Sequence, residues 1–91
     1  MSKIIPSYIA TALAFRDIIG RITIWKLDID NIDMSRGRAL ATLDKIITGN
    51  LDVDSSWFEL GKIFMLCRAN GIDRERLDKT LTKYRGGRFK A

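Results

Sequence analysis

Residues 21–29 run Arg21-Ile22-Thr23-Ile24-Trp25-Lys26-Leu27-Asp28-Ile29, and their reading decides the fold class. Thr23, Trp25, Leu27 and Ile29 alternate as one face of a strand does. Ile22, Trp25 and Ile29, with Ile18 before them, recur equally well at helical spacing. A strand needs a neighbour to take its backbone hydrogen bonds, and a lone strand is unstable in water. No second β-rich run exists elsewhere in the chain. The segment therefore reads as helix continuing to about residue 27. The chain as a whole reads as all-α: a compact bundle of four helices, five if this stretch forms its own, with short loops and a basic C-terminal tail. Residues 1–85 are expected to form a single domain and residues 86–91 the tail.

Upstream of that stretch, Pro6 suits a first helical position, where its missing N–H is not needed. Tyr8, Ala12, Phe15, Ile19 and Ile22 then recur at helical spacing, and Ile9, Leu13, Ala10, Ala14 and Ile18 fill the neighbouring rows. The first helix is thus apolar around most of its circumference, more than a surface helix of a small domain requires. Such a surplus marks a partner surface or a self-association face. Tyr8, Ile9, Leu13 and Phe15 are the residues expected to line it.

Downstream, Asp30 or Asp33 can cap a second helix over about 34–48, with Ala39, Leu40, Leu43, Ile46 and Ile47 inward and Gly49-Asn50 as its stop. Ser56-Trp57-Phe58-Glu59 has the form of a capping box, which starts a third helix running to Asn70. That helix is apolar almost all round, so it is expected at the centre of the bundle. Gly71 and Asp73 form a tight turn into a fourth helix with Leu77, Leu81 and Tyr84 on one stripe, ended by Gly86-Gly87.

The composition limits the chemistry. Of 91 residues, 46% are hydrophobic and 30% charged, an ordinary globular balance. There is no histidine, so histidine-based triads and metal sites are absent from the reading. The single cysteine, Cys67, lies in the apolar run Ile63-Phe64-Met65-Leu66-Cys67 and reads as a buried hydrophobe. An unpaired thiol fits a reducing compartment, so a cytoplasmic location is expected. Arg16, Asp17, Arg21 and Lys26 interrupt the apolar residues 4–29, leaving no run of about 18 uncharged residues that could span a membrane. Residues 4–15 are too short, and too polar at Pro6, Ser7, Tyr8 and Thr11, for a secretory leader.

The aspartate clusters 28–33 and 50–54 depart from the calcium-loop pattern of oxygen ligands at positions 1, 3 and 5, glycine at 6 and glutamate at 12. Counted from Asp28, position 5 is Ile32; counted from Asn50, positions 6 and 12 are Ser55 and Gly61. Caps and turns account for both clusters, so no metal and no cofactor are expected. Nothing in the spacing brings two carboxylates together against an apolar wall, and there is no glycine-rich phosphate loop. The expectation is a binding protein, not an enzyme.

Charge is unevenly distributed. The net charge is +5, and residues 74–91 alone carry seven basic and two acidic groups. At about 100° per residue, Arg76, Lys79 and Lys83 fall within roughly 60° of one another on the fourth helix. Arg74 and Arg85 flank the other side, and Arg88, Phe89 and Lys90 extend the basic character into the tail. Lysines and arginines that neutralise phosphates release counterions, which favours binding to nucleic acid; Tyr84 and Phe89 offer rings on which unpaired bases could stack. DNA or RNA is therefore the first expected partner. A protein partner or a second copy, met through the first helix, is the second.

Overall fold

A computed structural model describes residues 5–22, 25 and 34–85. Among them are four helices and no strand: α1 (Ser7–Gly20), α2 (Arg36–Ile47), α3 (Val53–Ala69) and α4 (Arg74–Arg85). The all-α reading holds for these residues.

The centre of the bundle is α1. It packs against all three other helices, most extensively against α4 and α2. Ala10, Ala12, Ala14, Phe15, Ile18 and Ile19 are buried along it. The expectation that α3 holds the centre is corrected. Both helices are apolar all round, but the small side chains of Ala10, Ala12 and Ala14 let neighbours approach α1 from several sides at once. On α3, Leu60, Ile63, Leu66 and Cys67 face inward while Phe58 and Met65 stand 68% and 51% exposed. The surplus apolar surface therefore lies on α3. Aromatic contacts seam the two helices: Tyr8 meets Trp57 at 6.5 Å between ring centroids and Phe15 meets Phe64 at 6.3 Å.

Continuation of α1 to residue 27 is also corrected. The helix stops at Gly20, a residue that costs about 1 kcal/mol relative to alanine inside a helix. The carbonyls left open there are satisfied by another element. Arg36 donates from Nε to the Ile19 carbonyl and from Nη2 to the Gly20 carbonyl, both at 3.1 Å. Its cation lies at a helix C-terminus, where the macrodipole favours it. Ile22 and Trp25 are half-buried outside any helix, and the Trp25 indole N–H donates to the Met34 carbonyl at 2.9 Å. Residues 23–24 and 26–33, including Asp30 and Asp33, lie outside the described residues. The cap of α2 is instead Ser35, whose hydroxyl accepts from the Arg38 amide at 3.1 Å.

The capping box at Ser56 is corrected as well. The cap of α3 is Asp52, whose carboxylate accepts from the Ser55 amide at 3.2 Å, so the helix begins one turn earlier. Ser56 consequently sits inside the helix, fully buried, with no hydrogen-bond partner for its hydroxyl among the described residues. Glu59 pairs with Lys62 at 3.1 Å. The C-terminal stops follow the sequence. Gly49 and Gly71 adopt left-handed φ of 80° and 83°. Asn50 and Ile72 amides then return to the Lys45 and Cys67 carbonyls at 2.8 and 2.9 Å, as left-handed glycine caps require. Asp73 caps α4 by accepting from the Arg76 amide at 2.9 Å.

Candidate nucleic-acid interface

Leu77 and Leu81 are fully buried and Tyr84 is half-buried, which anchors one face of α4 on α1 and fixes what the opposite face presents. Arg74, Arg76, Lys79 and Lys83 are all exposed. Arg76 and Lys79 form no salt bridge among the described residues. Lys83 does: its ammonium lies 3.6 Å from the Asp17 carboxylate of α1.

Asp17 is a junction between α1 and α4. One oxygen accepts from the Tyr84 hydroxyl at 3.1 Å and faces Lys83; the other meets Arg21 at 2.9 Å. The aspartate is mostly enclosed, with 17% of its side chain exposed, whereas Lys83 and Arg21 are more than half exposed. At 3.6 Å, with the lysine more than half exposed, the Lys83 pair contributes only about 0–1 kcal/mol. Desolvation, together with the bond to Asp17 and its negative charge, raises the Tyr84 pKa above its ordinary 10.0. Arg85 ends α4, but its side chain lies outside the described residues, as do Arg88, Phe89 and Lys90.

A second cationic surface has no counterpart in the sequence reading. A cleft of about 280 Å³ between α2 and α3 is lined by Arg38, Ala41, Thr42, Lys45, Leu51, Glu59 and Lys62. Arg38 and Lys45 are exposed and stand seven residues apart on one face of α2, with the short side chains of Ala41 and Thr42 between them. Glu59 offsets Lys62, so the cleft keeps the charge of Arg38 and Lys45 uncompensated among the described residues. The spacing Arg38-x-x-Ala41-Thr42-x-x-Lys45 was the available signal; the cleft itself exists only once α3 packs alongside.

Of the residues expected to form an apolar partner surface on α1, one is placed otherwise. Phe15 is fully buried and belongs to the core. Tyr8, Ile9 and Leu13 are half-buried, and Tyr8 is engaged by Trp57. Cys67 is buried, and loss of solvation pushes its thiol up to about 12. Among the described residues no group of three or more Asp, Glu or Cys side chains is arranged to hold a metal ion. No helix there is long and apolar enough to cross a membrane.

Comparison of the chain with protein-family models, with curated proteins and with solved structures finds no match.

Proposed function

We propose that this chain is a non-catalytic nucleic-acid-binding protein that meets phosphate groups through the outward cations of α4. The observation that carries the reading is the state of Arg76 and Lys79. Both are exposed on a helix anchored by Leu77 and Leu81, and neither is held by an acid among the described residues. Lys83 joins them on the same side of the helix, whereas Arg74 lies on the other flank, beyond the buried leucine stripe. Arg38 and Lys45 offer a second place for a phosphate backbone. Glu75 and Asp78 dilute this field, so affinity rests on the phosphate backbone and not on base edges, and it falls as salt rises. A cytoplasmic setting suits a chain with one buried, unpaired cysteine.

The reading is tested by fluorescence anisotropy with labelled single-stranded and duplex oligonucleotides at low salt. The wild-type chain should bind, and Arg76→Gln/Lys79→Gln should bind at least tenfold more weakly. Arg16→Gln should change affinity little, because Arg16 belongs to α1 and turns to Asp44 of α2 at 3.1 Å, so it is not one of the α4 cations. Absence of binding at low salt removes this function; equal binding by the double variant removes the assignment to α4.

A further inference from the structure

We propose that the outer face of α3 pairs, antiparallel, with the same face of a second copy of this chain. The inference rests on α3 alone and is independent of the nucleic-acid reading. Asp54, Phe58, Gly61, Met65, Arg68 and Ala69 are all exposed. At 100° per residue they occupy one side of the helix, opposite Ser56, Leu60, Ile63 and Cys67, which are buried. The two largest are also the most conspicuous: Phe58 is 68% and Met65 51% exposed. An aromatic ring and a thioether one heptad apart, on a helix face that the described residues leave exposed, are typical interface anchors.

What selects a second copy as the occupant is the order of charges along this face. Asp54 stands in the first turn and Arg68 in the last. A twofold axis passing between residues 61 and 62 makes the contact isologous, so each residue meets its counterpart reciprocally. Phe58 then faces the partner's Met65. With a rise of 1.5 Å per residue, Asp54 and the partner's Arg68 fall within about 2 Å of each other along the axis, on the same edge of the contact. The pairing therefore places opposite charges together at both ends, whereas a parallel pairing would place like charges together. Gly61 lies beside the axis, and a Cβ added there would meet nothing within 4 Å in its own chain, so the backbones can approach closely. On the opposite edge Glu59 and Lys62 already neutralise each other at 3.1 Å, which leaves the middle without net charge. Lys62 also lies over the Phe58 ring, 5.0 Å from its centroid, and so limits the freedom of that ring. One helix face per protomer is a small contact, so the dimer should be reversible and dependent on concentration.

Sedimentation equilibrium of the full chain tests this, with circular dichroism to verify that every variant stays helical. The wild type should show a monomer–dimer equilibrium, and Phe58→Ser/Met65→Ser should be monomeric. Asp54→Lys and Arg68→Asp should each weaken dimerisation at least tenfold, because each sets like charges together at both ends. An equimolar mixture of those two single variants should associate again as a heterodimer, since the mixture restores opposite charges at both contacts. A wild-type chain that stays monomeric up to about 1 mM overturns the proposal. So does a dimer indifferent to Phe58→Ser/Met65→Ser, or a failure of the mixed charge variants to recover association.

Discussion

Replacing Asp17 by alanine should weaken the fold and strengthen nucleic-acid binding in the same variant. The carboxylate accepts from Tyr84 at 3.1 Å, and a hydrogen bond to a charged group is worth about 1.5 kcal/mol at the low end, which suits a half-buried tyrosine. Lys83 at 3.6 Å and Arg21 at 2.9 Å are exposed partners, together worth about 1 kcal/mol. Two gains oppose these losses. Asp17 lies in the last turn of α1, where a negative charge opposes the macrodipole by about 0.5 kcal/mol. Alanine is also the better helix former by about 0.5 kcal/mol. The net loss is about 1.5 kcal/mol, read by urea denaturation followed by circular dichroism. A cycle with Tyr84→Phe should give a coupling of about 1.5 kcal/mol, because both variants delete the same bond. With its acid partner gone, Lys83 becomes fully available to phosphates, so oligonucleotide affinity should rise. Unchanged stability together with additive single variants would refute the assigned junction; reduced affinity would refute the role given to Lys83.

Three further outcomes follow from named contacts. Ser56→Ala should stabilise the protein by about 1 kcal/mol, because it removes a buried hydroxyl without a partner among the described residues, while Asp52→Ala should destabilise it; thermal melts showing the opposite signs would restore Ser56 as the cap. The Tyr84 pKa is raised in the fold by desolvation first and by Asp17 second, so its contribution is fully present below pH 10.0 and is lost as pH rises through the folded value. Tyr84→Phe should therefore flatten the alkaline part of the stability profile, and an unchanged profile would contradict it. Cys67, buried with its thiol pushed up to about 12, should resist alkylation in the native protein and react at once in denaturant; rapid native labelling, followed by mass spectrometry, would show the core to be open.

The sequence carried the helices better than their arrangement. Gly49 and Gly71 as left-handed stops and Asp73 as a cap were visible because each acts on its own neighbours. Asp52 and Ser56 both offer an oxygen at a plausible start, and only packing distinguishes them: Ser56 points into the core. Which of two apolar helices takes the centre was decided by side-chain size, with Ala10, Ala12 and Ala14 on α1 against Phe58 and Met65 on α3. The end of α1 depended on Arg36, sixteen and seventeen residues away, filling carbonyls that another helical turn would otherwise have satisfied. The same limit applies to the site. The cations of α4 were legible from periodicity alone, but the Asp17 contact to Tyr84 spans 67 residues and the α2–α3 cleft needs two helices side by side.

The most direct test of the nucleic-acid reading is the dependence of duplex affinity on salt, measured for the wild type and then for Arg76→Gln and Lys79→Gln separately. With two to four α4 cations on phosphates, the plot of log affinity against log salt should slope at about −2 to −4. Each substitution should make the slope shallower by about 0.9. Binding whose slope is untouched by either substitution would place the contact elsewhere on the molecule and contradict the assignment to α4.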